Sequence, residues 1–147
     1  MKSYKLIINK STVPVGPARR VRAAVQERLD SRKLNFQFDV ASNPEFLREG
    51  CAIEDCLNPA RVVVGVESEK AEQTLQDLYA PFLKNGNPFI VMDPPSSEMT
   101  KYAANAMLAA KISIMNEFSR FCEATGANIE YVRQGVGSDP RIGPQFI

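Results

Sequence analysis

The segment SNPEFLREG, residues 42–50, concentrates ionisable side chains in a stretch that is punctuated like a loop. Glu45, Arg48 and Glu49 fall within five residues of one another, after an Asn-Pro pair and before Gly50. Carboxylates and a guanidinium at this density suit proton transfer and the binding of a polar ligand. The plainer alternative for Glu45 is a carboxylate that interacts with the N-terminus of a helix.

Lys101 and Asn105 form a second polar group, four positions apart in an otherwise apolar stretch. At that spacing both side chains lie on one face of a helix. An ammonium and an amide in apolar surroundings are costly unless something binds them, so the pair indicates a ligand site. The alternatives are a solvated surface lysine and an amide between packed helices.

A third group follows the first apolar run of the chain and consists of Lys10, Ser11 and Thr12. In α/β proteins, ligands bind at the carboxyl ends of strands and in the loops beyond them. Polar residues at such a position are therefore candidates for ligand contacts, although Thr12 could equally do no more than terminate a strand.

Composition excludes several classes of function. The chain has no histidine, and its three cysteines lack paired spacing, which excludes a disulfide framework, a structural zinc site and a His-dependent triad. With 18 basic and 17 acidic residues and no Lys/Arg cluster, we expect no nucleic-acid partner. No cluster of metal-ligand residues appears, so we expect no bound metal. The most apolar run, YAANAMLAA, has only nine residues, and nothing resembles a signal peptide. We therefore expect no membrane span and a cytoplasmic location.

Hydrophobic periodicity predicts the elements that must position these groups. Short apolar or alternating runs predict strands at residues 4–9, 36–41, 61–66 and 88–92, and helical spacing predicts helices at residues 17–30 and 68–84. The order β-α-β-loop-β-α-β predicts an α/β fold with a mainly parallel, Rossmann-like sheet and flanking helices. A long central helix then runs from Ser96 to Thr125, with Ser96 or Ser97 as its N-cap, and a short helix capped by Asn128 follows.

Four sequence blocks together resemble the UDP-glucose/GDP-mannose dehydrogenase family. They are KSTVPVG, SNPEFLREG with AIEDCLNPARVVVG, SSEMTKYAANAMLAAKISIMNE, and CEATGANIEYVRQGVGSDPRIG. The resemblance covers essentially the whole chain, and the first block favours the glucose branch. It implies that residues 1–95 are the later part of an NAD-binding domain and that residues 96–147 are a truncated central dimerisation domain.

The resemblance also implies what the chain lacks. The family pattern has a glycine fingerprint upstream and a cysteine nucleophile downstream, and neither motif is present in these 147 residues. GVGSDP offers only two glycines and follows a helix. Cys51 and Cys56 lie outside the nucleophile motif, and Cys122 has the spacing of a small core residue. We therefore expect a fragment that is inactive alone.

The family chemistry is a double oxidation of a sugar C6 alcohol by NAD, through an aldehyde and a cysteine thioester. By resemblance the catalytic residues are Glu45, Thr12, Lys101 and Asn105: Glu45 is the general base for thioester hydrolysis, Thr12 holds the catalytic water, Lys101 is a base or oxyanion partner, and Asn105 orients the reacting oxygen. The implied cofactor contacts are Ser11, Thr12, Val13 and Glu49. The implied substrate contacts are Glu45, Phe46, Leu47, Arg48, Glu49, Lys101, Asn105 and Arg141, the last reaching a neighbouring subunit's site.

The implied partners are a nucleotide sugar, with UDP-glucose favoured, and a second copy of the chain that docks through the 96–125 helix. Two alternatives remain open at this stage. The substrate could be GDP-mannose or another nucleotide sugar, or the chain could act as a non-catalytic dimerisation module.

Overall fold

A computed structural model describes residues 3–83 and 86–147. Lys84, the last residue of one predicted helix, lies outside the described residues. The described parts contain strands β1 (Lys5–Asn9), β2 (Phe38–Ser42), β3 (Val62–Gly65) and β4 (Phe89–Met92), and helices α1 (Pro17–Ser31), α2 (Ala52–Leu57), α3 (Glu69–Tyr79), α4 (Pro94–Thr125) and α5 (Ile129–Gly137). The predicted 68–84 helix ends early: α3 stops at Tyr79, and a 3-10 turn that contains Pro81 follows at Ala80–Phe82.

The four strands form one sheet in the order β1-β2-β3-β4. β1 and β2 pair in parallel, as do β3 and β4, which confirms the predicted mainly parallel α/β fold. β2 and β3 are antiparallel and meet only through Ser42 and Gly65, the last residue of each strand. The carboxyl ends of the two parallel pairs therefore converge, and the loops that leave them lie in one region.

The core of the sheet forms around β3, whose continuous valines predict a buried strand. Val62 and Val64 pack with Ala41 of β2 and with Leu75 of α3, and all four side chains are buried. α3 begins at Ser68, whose hydroxyl accepts a hydrogen bond from the Ala71 N–H at 3.1 Å. This cap fixes the start of the helix that covers the centre of the sheet.

The predicted start of the long helix was wrong. α4 begins at Pro94, and its cap is the Asp93 carboxylate, which accepts hydrogen bonds from the Ser96 N–H at 2.9 Å and the Ser96 hydroxyl at 2.7 Å. Proline is preorganised for the first helical position, and aspartate is among the best N-caps, so the Asp-Pro-Pro sequence outweighs the serines. Ser97, one of the two predicted caps, lies inside the first turn of α4 and is fully buried.

Gly65 permits the first turn of α4 to pack directly against the end of β3. A Cβ atom at this position would lie 2.6 Å from the Pro94 Cα and 2.7 Å from the Ser97 Cβ. Such distances leave no room for a methyl group, because one of the two obstacles is backbone. The glycine is therefore required for this contact between strand and helix.

We expect Gly65→Ala to lower the free energy of unfolding by about 1–3 kcal/mol, the usual range for overpacking. Thermal or urea unfolding measures the change. Gly135→Ala is the matched control, because that glycine lies in α5 with nothing within 4 Å of an added Cβ. The control should be neutral or stabilising by up to about 1 kcal/mol, since alanine is the better helix former. Equal losses in both variants would contradict the close-packing explanation.

The chain divides into two compact units, Met1–Tyr102 and Ala103–Ile147. In the second unit Lys111 donates hydrogen bonds to the carbonyl oxygens of Ile142 at 2.9 Å and Gln145 at 2.7 Å. The Asn128 side chain caps α5 by accepting from the Glu130 N–H at 2.9 Å, as predicted. Across the described part of the chain, the helices are too short or too polar to cross a membrane.

Candidate functional site

The first unit brings two of the predicted polar groups into direct contact. Lys101, on the second turn of α4, has a side chain that is only 8% exposed, and its Nζ lies 3.2 Å from Oε1 of Glu45. Glu45 belongs to the loop that leaves β2, at the converging strand ends. A lysine this deeply buried needs a carboxylate partner, because desolvation of an unpaired ammonium is costly.

The second carboxylate oxygen of Glu45 accepts a hydrogen bond from the Leu47 N–H at 2.7 Å. This bond is the largest influence on the pKa of Glu45; partial burial opposes it, whereas Lys101 and the charge of Lys10 reinforce it, and the net effect lowers the pKa. Glu45 is therefore ionised at neutral pH. Because its folded-state pKa is depressed, its contribution to stability is present above the ordinary value of 4.5 and is lost as the pH falls through the lowered value.

Two cations lie close to the ring of Phe46. The Arg61 Cζ is 4.2 Å from the centre of this ring, and the Lys101 Nζ is 5.2 Å from the same centre. Both distances are within the range of cation–π attraction. Since Phe46 is the neighbour of Glu45, these contacts hold the loop that carries the carboxylate.

Asn43, two residues before Glu45, is 3% exposed and makes hydrogen bonds in several directions. Its side-chain N–H donates to the Val63 carbonyl at 2.9 Å, and its backbone N–H donates to the Asn9 carbonyl at 2.9 Å. Its side-chain oxygen accepts from Lys10 Nζ at 2.9 Å and from the Tyr79 hydroxyl. The start of the loop is thereby tied to β1, β3 and α3.

Arg48 is held by α2, a short helix in a region that the predicted element order treats as loop. Its guanidinium forms a bidentate pair with the Asp55 carboxylate, at 3.0 Å from Nε and 2.7 Å from Nη2, and its N–H donates to the same carboxylate at 2.8 Å. The pair lowers the pKa of Asp55. Leu47 and Glu49, on either side of Arg48, are exposed.

The third predicted group lies in the loop between β1 and α1. Ser11 and Thr12 are exposed, and Val13 is half-buried. Within residues 3–83 and 86–147, neither hydroxyl has a hydrogen-bond partner. Two exposed hydroxyls beside a parallel strand end are suited to a polar ligand.

The remaining predicted residues belong to the second unit. Asn105, one helical turn after Lys101, is exposed, so the expected apolar surroundings apply to the lysine and not to the amide. The reason is that the apolar middle of α4 is itself uncovered, with Met107 and Ile114 largely exposed. Arg141 is 86% exposed and pairs with Asp139 at 2.6 Å.

Glu98 has a structural role that the sequence patterns above do not predict. This buried carboxylate on α4 accepts hydrogen bonds from the Gly16 N–H at 2.6 Å and the Ala18 N–H at 3.1 Å, and so caps α1 from 80 or more residues away. α1 begins after Gly16, which has no side chain to cap it. A helix start without a local cap requires an acceptor from elsewhere in the chain, and this requirement is the one sequence signal that points to a distant carboxylate.

Comparison with known proteins identifies the family. Residues 1–83 match the model of the UDP-glucose/GDP-mannose dehydrogenase family, NAD binding domain, and residues 95–147 match the model of that family's central domain. The chain belongs to the UDP-glucose/GDP-mannose dehydrogenase family. The predicted resemblance is thereby confirmed.

Curated proteins that are similar in sequence to this chain bear names from the same family. It is 51% identical over 142 residues to the UDP-glucose 6-dehydrogenase of Pseudomonas aeruginosa, which covers 97% of this chain and 31% of that protein. The UDP-glucose 6-dehydrogenase of Bacillus subtilis is 48% identical and is matched over all of this chain and 31% of its own length. The chain thus spans about a third of the length of these curated relatives.

Solved structures of family members have the same fold. A UDP-glucose dehydrogenase from Pyrobaculum islandicum superposes with a TM-score of 0.88 at 41% identity, over 99% of this chain and 32% of that one. A GDP-mannose dehydrogenase from Pseudomonas aeruginosa gives a TM-score of 0.81 at 30% identity, over 94% of this chain and 31% of that one.

Proposed function

We propose that this chain forms part of an NAD-dependent UDP-glucose 6-dehydrogenase, which oxidises the C6 alcohol of UDP-glucose to the carboxylate of UDP-glucuronate. The observation that carries the proposal is the pair between the buried Lys101 and the ionised Glu45, 3.2 Å apart at the converging strand ends. The relatives named UDP-glucose 6-dehydrogenase support the choice of sugar nucleotide.

Glu45 is the general base of the hydrolytic step in this proposal. Water attacks the thioester carbonyl, Glu45 takes the proton from that water, and the cysteine thiolate leaves. A base must be deprotonated before the step, and the Leu47 N–H and Lys101 keep the carboxylate in that form. Lys101 stabilises the negative charge that develops on the reacting oxygen, and Asn105 orients that oxygen by donating a hydrogen bond.

The thioester cysteine of this proposal is a residue outside the present chain. Cys51 and Cys56 are exposed and Cys122 is buried. A buried thiol is an inert core residue. Cys51 lies near the Arg48 guanidinium, but within the described residues neither exposed thiol forms a hydrogen bond with a base.

NAD supplies the hydride acceptor when it is bound. The exposed hydroxyls of Ser11 and Thr12 suit a polar ligand, so these residues fit one polar part of a dinucleotide at this strand end. We assign to them, with Val13 and Glu49, the cofactor contacts made by this chain. Thr12 also holds the water that Glu45 activates, and residues 46–48 line the sugar.

We further propose that residues 1–95 serve cofactor binding and that residues 96–147 serve subunit association. Arg141 then contacts the substrate of a neighbouring subunit. Its guanidinium is largely exposed and directed by Asp139, which leaves Nη1 available to another group. The Asp139 pair also lowers the pKa of that carboxyl, so both charges persist at neutral pH.

The test is the stoichiometry of the reaction catalysed by the natural-length protein that contains this chain. Oxidation of an alcohol to a carboxylate requires two hydride transfers, so two NADH should form per UDP-glucose consumed. GDP-mannose and other nucleotide sugars are the comparison substrates. One NADH per sugar, or preference for a different nucleotide sugar, would contradict the proposal. A protein that associates yet oxidises none of these sugars would favour a non-catalytic dimerisation module.

The 147-residue chain by itself is expected to produce no NADH above a protein-free blank. The reason is that the proposed reaction needs a cysteine nucleophile and a pyrophosphate-binding fingerprint, and neither motif occurs in this sequence. Purified chain incubated with NAD and UDP-glucose provides the measurement. The natural-length protein under the same conditions is the positive control.

A further inference from the structure

The two residues before Glu45 connect it rigidly to a network of polar side chains that the proposed chemistry does not use. Asn43 is buried, Pro44 restricts the backbone between the two residues, and Asn43 accepts hydrogen bonds from Lys10 and Tyr79. Lys10 Nζ also donates to the Tyr79 hydroxyl at 2.9 Å, which closes the network. Three elements distant in sequence therefore meet at the residue that begins the catalytic loop.

The direction of the Tyr79 hydroxyl is set by packing. The ring of Tyr79 lies against Phe82, with centroids 6.4 Å apart, and against Phe89, with centroids 6.5 Å apart. Removal of the hydroxyl alone would leave these aromatic contacts in place. Tyr79→Phe consequently separates the two hydrogen bonds of the hydroxyl, to Asn43 and from Lys10, from the packing of α3 on the sheet.

The charges that face Glu45 come from two elements. Lys101 of α4 pairs with it directly, and Lys10 at the end of β1 acts at longer range through its charge. Arg61, at the start of β3, contacts the loop through the ring of Phe46. The Leu47 N–H is the uncharged donor to the same carboxylate. Of these three cations, Lys10 is the one that both acts on Glu45 through its charge and donates a hydrogen bond to Asn43.

We propose that Tyr79 and Lys10, acting through Asn43, are positioning residues that hold Glu45 in place for thioester hydrolysis. This inference rests on the proposed function. The hydroxyl and the ammonium satisfy the Asn43 oxygen, Asn43 fixes the backbone before Pro44, and that backbone sets the direction of the Glu45 side chain. Catalytic geometry is sensitive to displacements of about 1 Å, so loss of either donor reaches the reaction without any contact to substrate.

The experiment compares variants of the natural-length protein. Tyr79→Phe should lower kcat about tenfold, with a smaller change in KM, and covalent sugar-nucleotide adduct should accumulate during turnover. Lys10→Met should move the acid limb of the kcat profile to higher pH, because the lost charge no longer favours ionised Glu45. Lys10→Arg retains the charge and should return the limb to its original position.

Tyr4→Phe is the matched control. Its hydroxyl donates to Asp39 at 2.9 Å, beside the opposite ends of the same strands, so its loss affects the fold of the sheet without touching Glu45. The control should change thermal stability and leave both the adduct level and the acid limb unchanged. Lys10 is exposed, so Lys10→Met is expected to fold normally even if Tyr79→Phe does not.

An NMR titration of the Glu45 carboxyl carbon in the resting protein separates this inference from the proposed function. Lys10→Met should raise the pKa of Glu45, whatever reaction the protein catalyses. If Glu45→Gln leaves hydrolysis unchanged, the proposed function is wrong. If Glu45→Gln stalls the enzyme but Tyr79→Phe and Lys10→Met match the Tyr4→Phe control in adduct, acid limb and titration, the positioning role is wrong.

Discussion

Glu45→Gln is expected to slow overall turnover of the natural-length enzyme by about 10²–10⁴-fold, the usual contribution of a general base. The amide cannot accept the proton from water, whereas the first hydride transfer does not use that water. Thioester hydrolysis should therefore slow more than the first oxidation. Mass spectrometry during turnover should find enzyme that carries a covalent sugar-nucleotide adduct.

The control for this substitution is Glu54→Gln. Glu54 is an exposed carboxylate on α2 that accepts a hydrogen bond from Asn58 at 2.8 Å, outside the Lys101 pair. Glu54→Gln makes the same change of charge, and this variant should turn over substrate normally and accumulate no covalent adduct. A fall in the Glu45→Gln rate without accumulated adduct would show that Glu45 is not the base of the hydrolytic step.

A second large effect is expected from Ile114→Asp. α4 exposes a series of large apolar side chains in its carboxyl-terminal two thirds: Met107, Leu108, Ile112, Ile114, Phe118 and Phe121. The alanines at 106, 109 and 110 are small enough to admit a second helix at the close end of the 8–10 Å packing range. We infer that a second copy of the chain covers this surface.

The expected size of the effect follows from the symmetry of such a dimer. Burial of one isoleucine contributes about 1.5–3 kcal/mol, and the substitution acts once in each subunit. Loss of both contributions weakens association by at least about a hundredfold, before the cost of burying aspartate is added. Sedimentation should find monomer, and activity should fall because Arg141 no longer reaches the neighbouring site.

Asn116→Asp is the matched control for the dimer prediction. It adds one negative charge to the same exposed helix, about half a turn away from the face that carries Met107, Ile114 and Phe118, so that face remains intact. This variant should stay dimeric and active. An Ile114→Asp protein that remains dimeric, or a monomer with full activity, would show that α4 is an internal support and not the subunit interface.

The sequence by itself determined the elements of this protein whose causes are local. Continuous valines predict β3 as a buried strand, and the absence of proline and glycine up to Thr125 predicts one long helix that ends before Gly126. The capping of α5 by Asn128 could also be read directly. Each of these features depends on residues within a few positions of one another, so a linear pattern contains the necessary information.

A local pattern was misleading where two caps competed. The serines at 96 and 97 are good N-caps, but Asp93 followed by two prolines starts the helix earlier. The spacing of Lys101 and Asn105 predicted a shared polar site, yet only the lysine is buried. Helical periodicity places residues on a face, but the burial of each turn depends on what covers it, and that information lies elsewhere in the chain.

Only the tertiary structure decided which distant groups meet. The single Ser42–Gly65 pairing brings the ends of the two parallel strand pairs together, and Gly65 admits the first turn of α4 beside them. That approach brings Lys101 to Glu45 and Glu98 to the start of α1. Strand order and direction leave no trace in hydrophobic periodicity, because a strand has the same alternation whichever way its neighbour runs. The chemistry of this site therefore depends on a sheet topology that its own residues do not encode locally.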